Sequence, residues 1–232
     1  MEVIKMLLVE DDEAFRTITK CCLELTGEYQ VYEAKDGYEG FESFQSQKFD
    51  VIVTDIDMPK ISGLTMIDLI RKEDKDVPIL ITSGLTDSKN VHEGFEREID
   101  NYIKKPFQPE ELDDFVKSVL RQRKKTFQIE TEEIKKFQLG AYIFDLENRC
   151  LIYKETILLS GREAQILYLL YTNKNKIVNR ADILKKIWDE AGDSFFQSRI
   201  LDVNISKLRK YLNDDPTIKI VNFRGKGLKL TF

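Results

Sequence analysis

Between Ile4 and Lys117, short unbroken apolar runs alternate with amphipathic segments. The runs are Ile4 to Val9, Tyr29 to Glu33, Val51 to Thr54, Ile79 to Thr82 and Asn101 to Lys104. Stretches such as Met6-Leu7-Leu8-Val9 and Val51-Ile52-Val53 carry no polar residue on either side of the alternation. A strand of that kind must be covered on both faces, the condition met by parallel sheets with helical crossovers. The segments between them predict helices over Glu13 to Leu25, Gly37 to Gln47, Leu64 to Arg71, Lys89 to Arg97 and Pro109 to Arg121. Five β/α repeats give an α/β fold, a doubly wound five-stranded parallel sheet.

The texture changes after Arg121. Arg121 to Lys136 is polar, carries the basic cluster of Arg121, Arg123, Lys124 and Lys125, and lacks an apolar stripe, so residues 122–136 read as a linker between a domain of residues 1–121 and one of residues 137–232. The second begins with a β-rich stretch, Phe137 to Leu159, and passes into helical patterns, an α+β arrangement. Charge divides along the same line. The whole chain of 232 residues has a net charge of -5, but residues 1–120 hold 14 Lys+Arg against 27 Asp+Glu, and residues 121–232 hold 22 against 14. An acidic half suits cation-assisted phosphate chemistry, and a basic half suits a polyanion such as DNA.

Other classes recede. Cys21, Cys22 and Cys150 have no metal-ligand spacing and read as reduced packing residues; His92 is the single histidine, which leaves His-based hydrolysis and His-rich metal sites without material. No leader and no run of membrane-spanning length is present, which predicts a cytoplasmic chain with no membrane partner.

In an open parallel sheet, ligands bind beyond the C-terminal strand ends. Those ends carry Glu10-Asp11-Asp12, Asp55-Ile56-Asp57-Met58-Pro59, Thr82-Ser83-Gly84 and Lys104-Lys105-Pro106. Each is unremarkable alone: acids cap helices, and Ser-Gly and Lys-Pro make turns. Together they gather three carboxylates that repel unless a divalent cation lies between them, and Mg²⁺ suits hard oxygen ligands that also bridge to a phosphoryl group.

On these motifs, residues 1 to about 121 resemble the receiver domain of two-component response regulators. The resemblance implies that Asp55 accepts a phosphoryl group from a histidine kinase, and that Glu10, Asp11, Asp55 and the backbone carbonyl of Asp57 hold Mg²⁺. It further implies that Ser83 and Lys105 bind phosphoryl oxygens and that Tyr102 is an aromatic switch which turns inward once the phosphoryl group draws on the Ser83 hydroxyl. Thr82 stands beside Ser83 and also carries a hydroxyl; the spacing from Pro78 favours Ser83.

In the basic half, helices are predicted over Ser160 to Thr172, Asn179 to Trp188 and Gln197 to Leu212. Leu201, Ile205, Leu208 and Leu212 form one apolar stripe of the last, and Arg199, Val203, Ser206, Lys207 and Lys210 form the opposite face. Such a face fits a major groove. Two short strands from Ile218 to Phe232 flank Arg224-Gly225-Lys226-Gly227, a hairpin with cations at its tip. With the stretch Arg199 to Lys210, Arg209 included, this order resembles the winged-helix effector of the OmpR/PhoB family. The resemblance implies binding of double-stranded promoter DNA, and an RNA polymerase contact from the loop Asp189 to Gln197.

Members of that family dimerise through the fourth helix, fifth strand and fifth helix with charged pairs. Here Asp100 and Glu111 remain, while Val91, Phe115 and Asn101 replace charged residues. Phe115 is either an enlarged helix core or, with Val91, an apolar homodimer face that needs no phosphorylation. The expected function is a phosphorylation-dependent transcriptional regulator rather than an enzyme, the receiver catalysing only its own phosphorylation and dephosphorylation. The alternatives are a DNA-binding regulator with a constitutively dimeric receiver and a phosphatase with an aspartyl intermediate; the latter leaves the basic half without a use.

Overall fold

The computed structural model describes residues 3–84, 97, 99–127, 136–188 and 194–232. Two compact units meet between Arg121 and Gln122.

In the first unit, β1 (Ile4–Val9), β2 (Tyr29–Ala34), β3 (Val51–Asp55), β4 (Ile79–Ser83) and β5 (Asn101–Lys104) form one parallel sheet in the order β2-β1-β3-β4-β5. Helices α1 (Glu13–Leu25), α2 (Gly37–Ser46), α3 (Gly63–Glu73) and α4 (Pro109–Phe127) connect or follow the strands. Of the expected helix 89–97 only Arg97 is among the described residues. Three of these helices start where the sequence offers a cap: the side chains of Asp12, Asp36 and Ser62 accept from the first-turn amides of α1, α2 and α3. Met6, Leu8, Val31, Val51, Val53, Leu80 and Ile103 cluster with Leu23 of α1 and with Leu112, Val116 and Val119 of α4. The intervening Leu7, Val9 and Ile52 are equally buried, and Val9 lies against Gly40 of α2 beside Met66 of α3. Both faces are therefore dry, as the unbroken apolar runs require, each such side chain contributing about 1.5–3 kcal/mol.

The chain passes from β1 outward to β2 and returns to β3 on the other side of β1. The loops after β1 and β3 therefore diverge to opposite faces and leave a crevice at the sheet's C-terminal edge.

The second unit opens with an antiparallel sheet of β6 (Lys136–Leu139), β7 (Tyr142–Asp145), β8 (Cys150–Ile152) and β9 (Thr156–Leu158). Helices α5 (Gly161–Thr172), α6 (Arg180–Trp188) and α7 (Ser194–Tyr211) precede the hairpin β10 (Lys219–Phe223) and β11 (Gly227–Thr231). A capping box starts α5: Glu163 N donates to Ser160 Oγ at 3.3 Å and Ser160 N to Glu163 Oε2 at 2.9 Å.

The structure departs from expectation in two connections. The linker expected over 122–136 is helical as far as Phe127, because Arg-Gln-Arg-Lys-Lys is a run of good helix formers whose cations favour a helix C-terminus, and propagation needs no buried stripe. The loop expected from Asp189 to Gln197 is helix from Ser194 onward.

Candidate functional site

Glu10 follows β1, Asp55 ends β3, Ser83 ends β4 and Lys105 follows β5, so parallel register alone brings them to one edge. Lys105 Nζ lies 2.6 Å from Glu10 Oε2 and 2.6 Å from Asp55 Oδ2. The other oxygen of Asp55 accepts from Ile56 N at 2.6 Å and Asp57 N at 3.4 Å. The face of Phe15, on α1, lies 4.9 Å from the same ammonium, and Phe15 meets Phe107 edge-on at 5.2 Å. Glu10, Asp11 and Asp55 each offer a carboxylate oxygen, all within 4.8 Å of one another. Glu10 and Asp55 are buried and Asp11 is exposed, giving an acidic pocket that opens to solvent on one side.

Burial pushes the Glu10 carboxyl above its usual range, against the pull of Lys105. Asp57 is pushed up by burial and by the Asp55 charge. Burial works against the charge of Lys105, but its hydrogen bonds to Asp55 and Glu10 outweigh that and hold the ammonium above the usual lysine value. One ammonium among three carboxylates leaves the cluster net negative, so a cation has to offset it before a negatively charged ligand can enter.

The peptide after Asp55 leaves no room at Gly63, where a Cβ would come within 1.9 Å of the Asp55 carbonyl oxygen. Gly63 N donates to Ile56 O at 3.0 Å, closing the neck of the loop that follows the acid.

Ser83 is wholly buried, and its side chain hydrogen-bonds the Tyr102 hydroxyl. Tyr102 is 4 % exposed. The ring is therefore turned inward, its oxygen partnered by the Ser83 hydroxyl. Burial raises the phenol above its usual value, with Asp55 and Asp57 adding to it.

The expected dimer residues divide. Val91 lies outside the described residues. Asp100 is 2 % exposed, with Oδ2 accepting from Ile79 N at 2.9 Å and lying 3.8 Å from Arg71 Nη2. It closes the start of β4 and is not a surface acid. Phe115 is half-buried and packs against the core that holds Leu112, Val116 and Val119, and Glu111 is exposed.

In the second unit Leu201, Ile205, Leu208 and Leu212 of α7 and the following turn are all at or below 2 % exposure. The outer face carries exposed Arg199, Ser206 and Lys210 and half-buried Val203 and Lys207. Arg209, also expected to meet DNA, is exposed, and its Nε donates to Ile220 O, 2.9 Å away, which ties α7 to β10. Arg224 and Lys226 are exposed in the turn between β10 and β11. A second clamp escaped the sequence reading: Arg180 Nη1 lies 2.8 Å from Asp202 Oδ1, while Nη2 donates to Ser198 O at 3.0 Å and to Ser198 Oγ at 2.9 Å. It fixes the start of α6 to α7, and residues so far apart in the chain leave no local signal.

Residues 6–117 match the family model of the response regulator receiver domain, and residues 154–230 match that of the transcriptional regulatory protein C terminus. Over 230 residues the chain is 35% identical to the transcriptional regulatory protein RprY of Bacteroides fragilis, covering 99% of this chain and 95% of that protein. The chain belongs to the OmpR/PhoB family of response regulators. It is also 36% identical over 230 residues to a probable transcriptional regulator, ycf27, of Guillardia theta, covering 96% of this chain and 89% of that protein. A mutant of RitR shares the fold across 98% of this chain and 99% of that one, with a TM-score of 0.76 at 21% identity. As an OmpR/PhoB response regulator, the chain is a two-component, DNA-binding transcriptional regulator, a class whose receiver takes its signal from a histidine kinase. No described helix is long and apolar enough to cross a membrane.

Proposed function

We propose that Asp55 is the phosphoacceptor and that its phosphorylation controls promoter binding by the second unit. The observation that carries this reading is Lys105, held at 2.6 Å from both Asp55 and Glu10 at the crevice of the sheet, with Asp11 within reach of the same space. In the transfer, a carboxylate oxygen of Asp55 forms a bond to phosphorus as the P–N bond to the kinase imidazole breaks, and the ring nitrogen leaves with that electron pair. Lys105 moves its charge from carboxylate to phosphoryl oxygen, and the crevice excludes bulk solvent on the protein side, so the chain supplies position and charge.

The residues present fit Mg²⁺: Glu10, Asp11 and Asp55 offer hard oxygens, and with the Asp57 carbonyl they would hold the ion. When bound it would neutralise charge on the phosphoryl oxygens. The Ser83 hydroxyl is shared between two claims, the Tyr102 oxygen and an incoming phosphoryl oxygen, which couples the site to the sheet edge that Tyr102 occupies. In the effector, Arg199, Val203, Ser206, Lys207 and Lys210 face the major groove, and Arg224 and Lys226 take phosphates or the minor groove.

Incubation with acetyl phosphate and Mg²⁺ tests the acceptor. Wild type should take up one phosphoryl group per chain and Asp55→Asn none, because an amide oxygen forms no acyl phosphate. Labelling of Asp55→Asn at wild-type stoichiometry would move the site elsewhere.

A further inference from the structure

Asp36 is a buried acid that the chemistry above does not use. It is 1 % exposed and lies at the start of α2, where Oδ1 accepts from Tyr38 N and Glu39 N, each at 3.0 Å. Its other oxygen lies 2.6 Å from Lys60 Nζ. Lys60 belongs to the loop 56–62, which carries Asp57 from the end of β3 to the start of α3. A cap satisfies its amides with one oxygen; the second oxygen, aimed at a lysine of another loop, goes beyond capping.

Two further observations concern the same contact. Gly37 N donates to Ile61 O at 3.1 Å, and a Cβ on Gly37 would sit 2.5 Å from that oxygen, so loop and helix start touch backbone to backbone. Lys60 has φ 63, a left-handed backbone that a lysine rarely adopts and that persists only where the surroundings hold it. The loop is thus pinned at its neck by Gly63 N on Ile56 O, and at its far end by Asp36 and Gly37. Between the two pins lies Asp57.

We infer that Asp36 and Lys60 are positioning residues, a latch that sets the loop carrying the Asp57 carbonyl and so tunes Mg²⁺ affinity at the Asp55 site. The inference deepens the phosphoacceptor reading and rests on it. Groups hydrogen-bonded directly to metal ligands tune affinity on the order of 10- to 100-fold, and a latch three residues from the Asp57 carbonyl acts on the same positioning at the low end of that range. The latch touches no phosphoryl oxygen, so it should alter how much Mg²⁺ is needed and not the rate once Mg²⁺ saturates.

The test uses the full chain as wild type, Lys60→Gln, Lys60→Arg and Asp36→Asn, with Mg²⁺ binding followed by calorimetry and acetyl phosphate labelling followed across a Mg²⁺ series. Lys60 is largely exposed, so Lys60→Gln should fold, and Asp36→Asn keeps a capping oxygen. Lys60→Gln and Asp36→Asn should raise the dissociation constant and the half-saturating Mg²⁺ by about 10-fold, leave the saturated labelling rate within about 2-fold, and show no further loss when combined. Lys60→Arg should recover most of the affinity. Unchanged Mg²⁺ affinity in Lys60→Gln, or equal loss in Lys60→Arg, overturns the latch. So does a fall in the saturated rate with no change in affinity. A wild-type chain that neither binds Mg²⁺ nor takes label would overturn the phosphoacceptor reading beneath it, which the variants alone leave standing.

Discussion

At the scale of single residues, the molecule places charge where a backbone or a ligand can use it. Asp215 is the clearest case in the effector: Oδ2 accepts from Ala141 N at 2.7 Å, and Oδ1 from Thr217 N at 2.9 Å and Thr217 Oγ1 at 2.6 Å. It ties the β6–β7 turn to the segment after α7. Those bonds, the one from the Thr217 hydroxyl foremost, hold its carboxyl below the usual value. A depressed folded pKa gives stability that is full above the unfolded value, near 3.9, and is lost as pH falls through the folded value. The melting-temperature gap between wild type and Asp215→Ala should therefore be constant above about pH 5 and narrow below about pH 4. A gap that holds its size into strong acid would show the loss to be one of packing. Asp55, Lys105 and Glu10 were legible in the sequence because strand ends in a parallel sheet have a known place; Asp215 and Asp36 were not, because their partners lie far along the chain.

At the scale of elements, the helix that ends at Phe127 and the one that begins at Ser194 both exceed the lengths that apolar stripes suggest. A stripe reports what is buried, and helix propagation continues past it wherever propensity allows. The same distinction separates an arginine and a lysine that look alike in sequence. Arg209 bonds the Ile220 carbonyl, whereas Lys226 stands exposed in the hairpin turn. Arg209→Ala should lower the effector's melting temperature, by an amount equivalent to roughly 1–2 kcal/mol, with the salt dependence of DNA affinity little changed. Lys226→Ala should leave melting unchanged and reduce the slope of log affinity against log salt by about 1. If Arg209→Ala flattened the salt slope as Lys226→Ala does, Arg209 would return to the DNA-contacting set.

At the scale of the whole molecule, an acidic unit and a basic unit share one chain, so the carboxylate cluster and the cationic helix and hairpin are separated by sequence position before any contact is made. Asp100 turned inward is taken from the four residues expected on a dimer face, and Phe115 is partly covered by its own core. The unphosphorylated full chain should therefore sediment as a monomer at tens of micromolar protein at both low and high salt, with any homodimer appearing only with a phosphodonor. A dimer present beforehand and indifferent to salt would restore the apolar face, since burial of apolar area is little screened.

Periodicity and strand-end chemistry settled the β/α order, the cluster of Glu10, Asp11, Asp55 and Lys105, the apolar stripe of α7 and the cationic hairpin, because each is written in neighbouring residues. Whether Tyr102 faces in or out, whether Asp100 meets solvent or Arg71, and which lysine clasps Asp36 are decided by packing between segments tens of residues apart. Side chains of one type serve a ligand or a backbone according to what the fold brings beside them. A buried carboxylate or hydroxyl must find its partner in three dimensions, and nothing in its local sequence names that partner.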